Sequence, residues 1–290
     1  MATLEALIRK RLSTNSSLKE RLAAYHGEPA IFFQEAPDDT AEGWGEAQYP
    51  RITFLMDTFA DAEHGVTGGL SIDIACSEAG HAPEDIEPLV RESLAGVFFT
   101  PDDGRTFSAK WRGTDVFKTT VGEQEALILG MSVSFDVYEF PLMETSDPDP
   151  VAAINFYAQD WDKELVVIGR AELAEVFEPT RHSPAAYFRR VNPNIEKQTN
   201  TVVWLTADLV LHLFAPTLRD RKEWLEQFAQ SLALDGEVTM LDGSPMFIRS
   251  LKGDTKADEV TGQLTISVRY GLLRKPKYAH TMMRASFTKE

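Results

Sequence analysis

The sequence predicts an α+β protein of two tandem units, each a mostly antiparallel sheet with packed helices. Three observations predict it: a proline–aspartate segment at the midpoint, a helical stripe that opens each half, and a long alternating strand that closes each half. The segment is Ser146-Asp147-Pro148-Asp149-Pro150, which can continue neither a strand nor an interior helical turn. It divides the chain into residues 1–145 and 146–290.

Within the first half, Leu4, Leu7, Ile8 and Leu12 recur at helical spacing, and strands are expected at Ala30–Gln34 and Arg51–Met56. A clean alternation then sets Leu70, Ile72, Ile74 and Cys76 on one face. A helix follows with the stripe Ile86, Leu89, Val90, Leu94 and Val97, for which Asp85 is the candidate cap and Pro88 falls in the first turn. The turn Asp103-Gly104 leads into a hairpin, and Met131, Val133, Phe135 and Val137 alternate in the closing strand.

The second half repeats this order. Val151, Ile154, Tyr157 and Trp161 form the opening stripe, with strands expected at Leu165–Ile168 and Ala185–Val191. Leu209, Leu211 and Leu213 share one strand face, and His212, on the opposite face, reads as a position on the sheet surface. Thr217-Leu218-Arg219-Asp220 resembles a capping box ahead of the stripe Leu218, Leu225, Phe228 and Leu232. Asp235-Gly236 and Asp242-Gly243 supply turns, and Leu264, Ile266, Val268 and Tyr270 alternate in the last strand. Little residue identity accompanies the match, so it speaks for a shared fold before it speaks for duplication.

Charge narrows the partners. The chain of 290 residues carries a net −16, and residues 1–145 hold 11 Lys+Arg against 25 Asp+Glu, a net of −14. Such a surface repels a phosphate backbone, so sequence-specific nucleic-acid binding is not expected. The trend inverts at the end, where Arg269, Arg274, Lys275, Lys277, Arg284 and Lys289 face only Glu290, which has two readings: a basic arm able to dock on acidic surface, or a solvated, disordered terminus. The single cysteine, Cys76, cannot bridge internally, no apolar run approaches a membrane span, and the opening residues carry no signal core; a cytoplasmic site of synthesis is expected.

Motifs for chemistry are missing. The glycine-rich phosphate signatures, the Cys/His clusters of structural zinc and His-Glu-x-x-His do not occur. Gly130-Met131-Ser132-Val133-Ser134 fails the last position of a nucleophile elbow, and Ser16-Ser17-Leu18-Lys19 lacks its companion motifs. The carboxylates Asp38, Asp39, Glu42 and Glu46 crowd one loop without the ligand order of a calcium site. No catalytic, cofactor-binding or metal-ligating residue is therefore assigned. Trp44, between two glycines in that loop, has two readings: folded back on its own unit, or an anchor for a partner.

The opening Leu4-Glu5-Ala6-Leu7-Ile8-Arg9-Lys10-Arg11-Leu12, followed by Tyr49-Pro50-Arg51-Ile52-Thr53-Phe54, is similar to the way small tail completion proteins of long-tailed bacteriophages begin. With the order helix, strands, alternating strand, helix, hairpin, most of residues 1–145 resembles the phage tail terminator (tail completion) family, and residues 146–290 do so through the repeat. The resemblance implies a non-enzymatic virion protein, assembled in the host cytoplasm, that forms a homo-oligomeric ring at the head–tail junction. It would contact the tail tube protein and the neck or connector proteins, and DNA would pass without specific binding. At twice the usual length, the ring would hold six chains, or three chains in a pseudo-hexamer. The stretch Glu28–Glu63, with nine carboxylates against the single Arg51, has two readings: the acidic lining of the channel, or loop charge scattered evenly over the outside. Another duplicated tail part, a hub or adaptor, would show the same features, and a small-molecule α+β enzyme built from unremarkable residues is the reading of a different class.

Overall fold

A computed structural model describes residues 2–59, 64–78, 80–121, 126–254 and 256–274. The protein is α+β. Its first half runs α1 (Leu4–Thr14), α2 (Ser16–Arg21), β1 (Ala24–Tyr25), β2 (Glu28–Pro29), β3 (Ile31–Phe33), β4 (Arg51–Thr58), β5 (Val66–Ser77), α3 (Pro83–Leu94), β6 (Phe98–Phe99), β7 (Phe107–Val121) and β8 (Ala126–Glu139). The second runs α4 (Pro150–Trp161), β9 (Val166–Val167), β10 (Val176–Phe177), β11 (Ala185–Gln198), β12 (Val202–Phe214), α5 (Leu218–Asp235), β13 (Glu237–Thr239), β14 (Pro245–Gly253) and β15 (Leu264–Leu273).

The two large sheets share one strand order. In the first, β6-β7-β8-β5-β4-β3 lie side by side; in the second, β13-β14-β15-β12-β11-β9 do. The short outer strand of each is parallel to its neighbour, β3 to β4 and β9 to β11, and the remaining shared neighbours are antiparallel. Register agrees as well. Leu70, Ile72 and Ile74 stand opposite Phe135, Val133 and Met131. Ala207, Leu209 and Leu211 stand opposite Val268, Ile266 and Leu264.

A bulge repeats at the matching place. The β7–β8 ladder slips between Trp111 and Gly113, opposite Phe135 and Ser134. The β14–β15 ladder slips between Ile248 and Ser250, opposite Val268 and Ser267. The residue left over is an arginine in both, Arg112 and Arg249. A bulge bends and twists its strand, so both sheets are bent at the same position.

Each sheet buries its apolar face under its own helices. Leu7, Ile8, Leu12, Ile72, Ile74, Val90 and Phe135 belong to one core, and Ile154, Leu209, Leu211, Phe228, Leu232 and Ile266 to the other. Cys76 is buried in the first core as a free thiol, and burial pushes its pKa up to about 12. No described helix is long and apolar enough to cross a membrane.

Several local expectations need correction. α3 begins at Pro83, ahead of Asp85, and its N-cap Ala82 makes no side-chain bond. Proline at the first helical position needs no donor, and Glu84 with Asp85 sits where the helix dipole favours acid. Pro88 therefore lies inside the helix; the Glu84 carbonyl that loses its donor belongs to an exposed residue, within reach of water. Gly236 is the left-handed C-cap of α5 at φ 70° and forms no hairpin turn; Asp242-Gly243 turns β13 into β14. β11 continues past Val191 to Gln198 by way of a register shift at Asn192-Pro193, where the alternation of the sequence breaks. Leu218 is exposed, so the apolar anchors of α5 are Phe228 and Leu232.

The midpoint segment is tightly organised. Asp149 caps α4, accepting the Val151 and Ala152 N–H at 2.7 and 3.2 Å, and its other oxygen accepts those of Thr145 and Ser146 at 2.7 and 2.8 Å. Burial alone would raise this carboxyl, yet those four donors together hold its pKa below the ordinary value. Asp149→Ala leaves them unanswered in a buried site, and a loss of about 2 kcal/mol is expected in urea titration. An unchanged midpoint would refute this role for Asp149.

Candidate functional site

The place where the halves meet is where the fold departs from two independent units. Each half crosses from its short outer strand to the next by a 17-residue segment, 34–50 or 168–184. In the second half that segment contains β10, which leaves its own unit and pairs with β6 of the first half, Val176 against Phe99 and Phe177 against Phe98. The Thr100 N–H donates to the Glu175 carbonyl at 2.9 Å, and the Glu175 and Glu178 side chains meet Lys10 and Arg11 of α1, each at 2.7 Å. Lys10, Glu175 and Glu178 are exposed and Arg11 is half-buried, so these pairs orient the join more than they hold it.

Behind this strand pair lies a third core, shared between the halves. Phe98 and Phe140 come from the first half; Ile168, Ala185, Tyr187 and Phe214 come from the second. Phe140 lies 5.3, 5.2 and 5.6 Å from the rings of Phe98, Tyr187 and Phe214, all near edge-to-face. His212 belongs here, fully buried, which corrects its reading as a surface position. Both faces of β12 are covered: Leu209, Leu211 and Leu213 by the second core, Val210, His212 and Phe214 by the first half and the loop around Glu259.

The polar groups of the join are few and specific. His212 Nε2 accepts from Arg189 Nε at 3.0 Å and its Nδ1 lies 2.9 Å from the Glu259 carbonyl, an arrangement that suits the neutral ring with the proton on Nδ1. His64 lies 4.8 Å away, ring to ring, with its nitrogens 2.8 and 3.2 Å from the carbonyls of Glu139 and Val260. Burial first, then the charge of His64, lowers the His212 pKa to about 3, and burial lowers that of His64. Lys110 pairs with Asp258 across the same seam.

In the first half the 34–50 segment stays at home. Trp44 bridges to Tyr25, packs edge-on against Tyr25 at 5.0 Å and Phe32 at 5.8 Å, and donates from Nε1 to the Asp38 carbonyl at 2.9 Å. Of its two readings, the structure shows the folded-back one. Arg51 stacks over Tyr49 at 4.5 Å and pairs with Asp39 at 2.5 Å, and Tyr49 donates to the same carboxylate. Glu35, Asp38, Glu42 and Glu46 remain exposed around this platform. Asp61 and Glu63 of the acidic stretch, and the basic residues from Lys275 onward, lie outside the described residues.

The described residues contain no group of three His, Cys, Asp or Glu placed to hold a metal ion. A groove of about 440 Å³ between α5 and β14 is lined by Leu225, Ala229, Leu251 and Leu264, with the Arg221–Glu259 pair at its end. Comparison with known proteins returns no match to any family model, curated protein or solved structure.

Proposed function

We propose that this chain is a structural assembly protein that works as a phage tail terminator, capping the tail tube at the head–tail junction as a homo-oligomeric ring. The observation that carries the reading is the duplicated six-strand unit, with one half seated on the other by an added edge strand and a shared aromatic core. Units that join side by side in this way are suited to lateral assembly, and a fused pair supplies two positions of a ring per chain. The net charge of −16 supports passage of DNA without retention. On this reading no residue is catalytic.

Native mass spectrometry and negative-stain microscopy of the chain, alone and with tail tubes, test the proposal. A ring of three or six chains at the head-proximal end of the tube is the expected result, with roughly 1,000 Å² or more buried at each contact. A chain that stays monomeric and leaves tubes bare overturns it. Attachment at the opposite end would assign a hub instead.

A further inference from the structure

We infer that the pocket at the open edge of β11, between Arg189 and Arg190, is a binding site for a phosphate group. The inference is independent of ring assembly, since it concerns one chain and a small anion.

The edge is open because β9 is short. It pairs with β11 only at Ala185 and Ala186, and no other described strand runs along that side of β11. The ladder shows which backbone groups face this edge. The Ala186 carbonyl accepts from the Ile168 N–H at 2.9 Å, on the side away from β12. Leu211, opposite Phe188, likewise turns its carbonyl away from β11, to the Gln263 N–H at 2.9 Å. Alternation from Ala186 and Phe188 then points the Arg190 N–H outward, where no described group accepts it. Just beyond, the register slips between Val191 and Asn194, with Asn192 at φ 51°, a left-handed conformation that asparagine tolerates. A bulge bends its strand. A pocket of about 380 Å³ lies against this bend, lined by residues 189–193 and walled by His64, Met143 and Thr145.

The pocket is cationic in an acidic chain. Neighbouring residues of a strand point to opposite faces, so Arg189 and Arg190 reach it round the edge from two sides. Most described arginines stand beside a carboxylate. These two, both half-buried, have no ion pair among the described residues, and no described Asp or Glu lines the pocket. Arg189 uses Nε on His212 at 3.0 Å; its terminal nitrogens have no described partner and are not sealed from solvent. Arg190 reaches only neutral oxygens, Ser146 Oγ at 3.2 Å and Thr145 Oγ1 at 3.3 Å. The carboxylates of the surrounding elements are engaged elsewhere. Glu139 holds Arg105, Asp208 accepts from Asn192 and Ser267, and Asp149 accepts its four backbone N–H groups. Two like charges held side by side repel, and an anion between them turns that repulsion into attraction.

The directions of the donors favour phosphate over carboxylate. One guanidinium meets a planar carboxylate with two parallel bonds from a single side. Here Arg189 comes from one face of the strand, Arg190 from the other, the Arg190 N–H from the edge and the Thr145 hydroxyl from the connection opposite. A tetrahedral oxyanion offers acceptors in all of these directions, and arginine is the side chain best matched to it. At about 380 Å³ the pocket is also large enough for the small molecule that carries the phosphate. His64 adds no charge of its own: burial lowers its pKa, and its ring nitrogens face the carbonyls of Glu139 and Val260.

Isothermal titration of the intact chain with inorganic phosphate at low ionic strength should find one site per chain, with a dissociation constant on the order of 1 mM that weakens as salt rises. Sulfate should compete and acetate should not. Arg190→Gln removes one guanidinium and leaves the Arg189–His212 bond in place, and phosphate should bind it about tenfold more weakly. Thr145→Asp keeps both arginines and sets a carboxylate beside Arg190, so it should abolish binding while the melting temperature holds or rises. Circular dichroism reports the fold of each variant, and Thr145→Asp decides the matter where Arg190→Gln does not fold. Competition reads the source of the phosphate. Displacement by a mononucleotide makes the ligand a small phosphate ester, displacement by a short DNA duplex makes it a nucleic-acid backbone, and displacement by neither leaves the free anion. No heat of binding at about ten times the expected constant overturns the site. So does an affinity that the folded variants leave unchanged, or acetate that binds as tightly as phosphate.

Discussion

Phe140→Ala is expected to remove about 3–5 kcal/mol of stability and to split a single thermal transition into two. The side chain is 1% exposed and touches rings from both halves, so its loss opens a cavity in the core that couples them. That core has six fully buried members, whereas the cores of the two halves are several times larger and self-contained. Each half should therefore stay folded while the coupling fails. Calorimetry of the variant reads both effects. A single transition shifted by less than about 1 kcal/mol would show that the halves are coupled elsewhere.

Acid should loosen the same seam. The His212 pKa in the folded chain, about 3, lies below the 6.5 of an unhindered histidine. Between those values the unfolded chain binds a proton that the folded chain refuses, so the neutral ring's contribution is complete above pH 6.5 and is lost as pH falls. The slope for one such group is about 1.4 kcal/mol per pH unit, which gives a loss of roughly 2 kcal/mol between pH 6.5 and 5. His64, shifted the same way by burial, adds to it in the same window. Asp149, with a lowered pKa, acts only further down, as pH falls below about 4. Urea midpoints at pH 7 and pH 5 test this, with His212→Gln as the control: the variant should be less stable at pH 7 and flatter toward pH 5. Equal slopes in the two proteins would remove His212 as the cause.

Much of this fold is legible in the sequence. The alternations at Leu70–Cys76, Met131–Val137 and Leu264–Tyr270 are β5, β8 and β15, and Thr217 caps α5 with Asp220 as its spacing implies. These are long elements with one face buried, where period and burial coincide. The strands that form the join are not legible. β6, β10 and β13 have two or three residues each, too few to display a period of 2. The alternation Leu209, Leu211 and Leu213 marks one buried face and leaves His212 on the other, which the sequence alone reads as surface. On the other face Val210 and Phe214 flank His212, and a strand with large apolar residues on both faces is covered on both. That pattern was the available signal for a buried seam between the halves.

The 17-residue segment that carries β10 across to β6 also sets an order of events. Because both partners belong to one chain, they meet at an effective concentration on the order of millimolar, whatever the protein concentration around them. Separate chains have no such tether and meet only as often as synthesis supplies them. The internal seam therefore forms within each chain at any dilution, ahead of any encounter with another molecule.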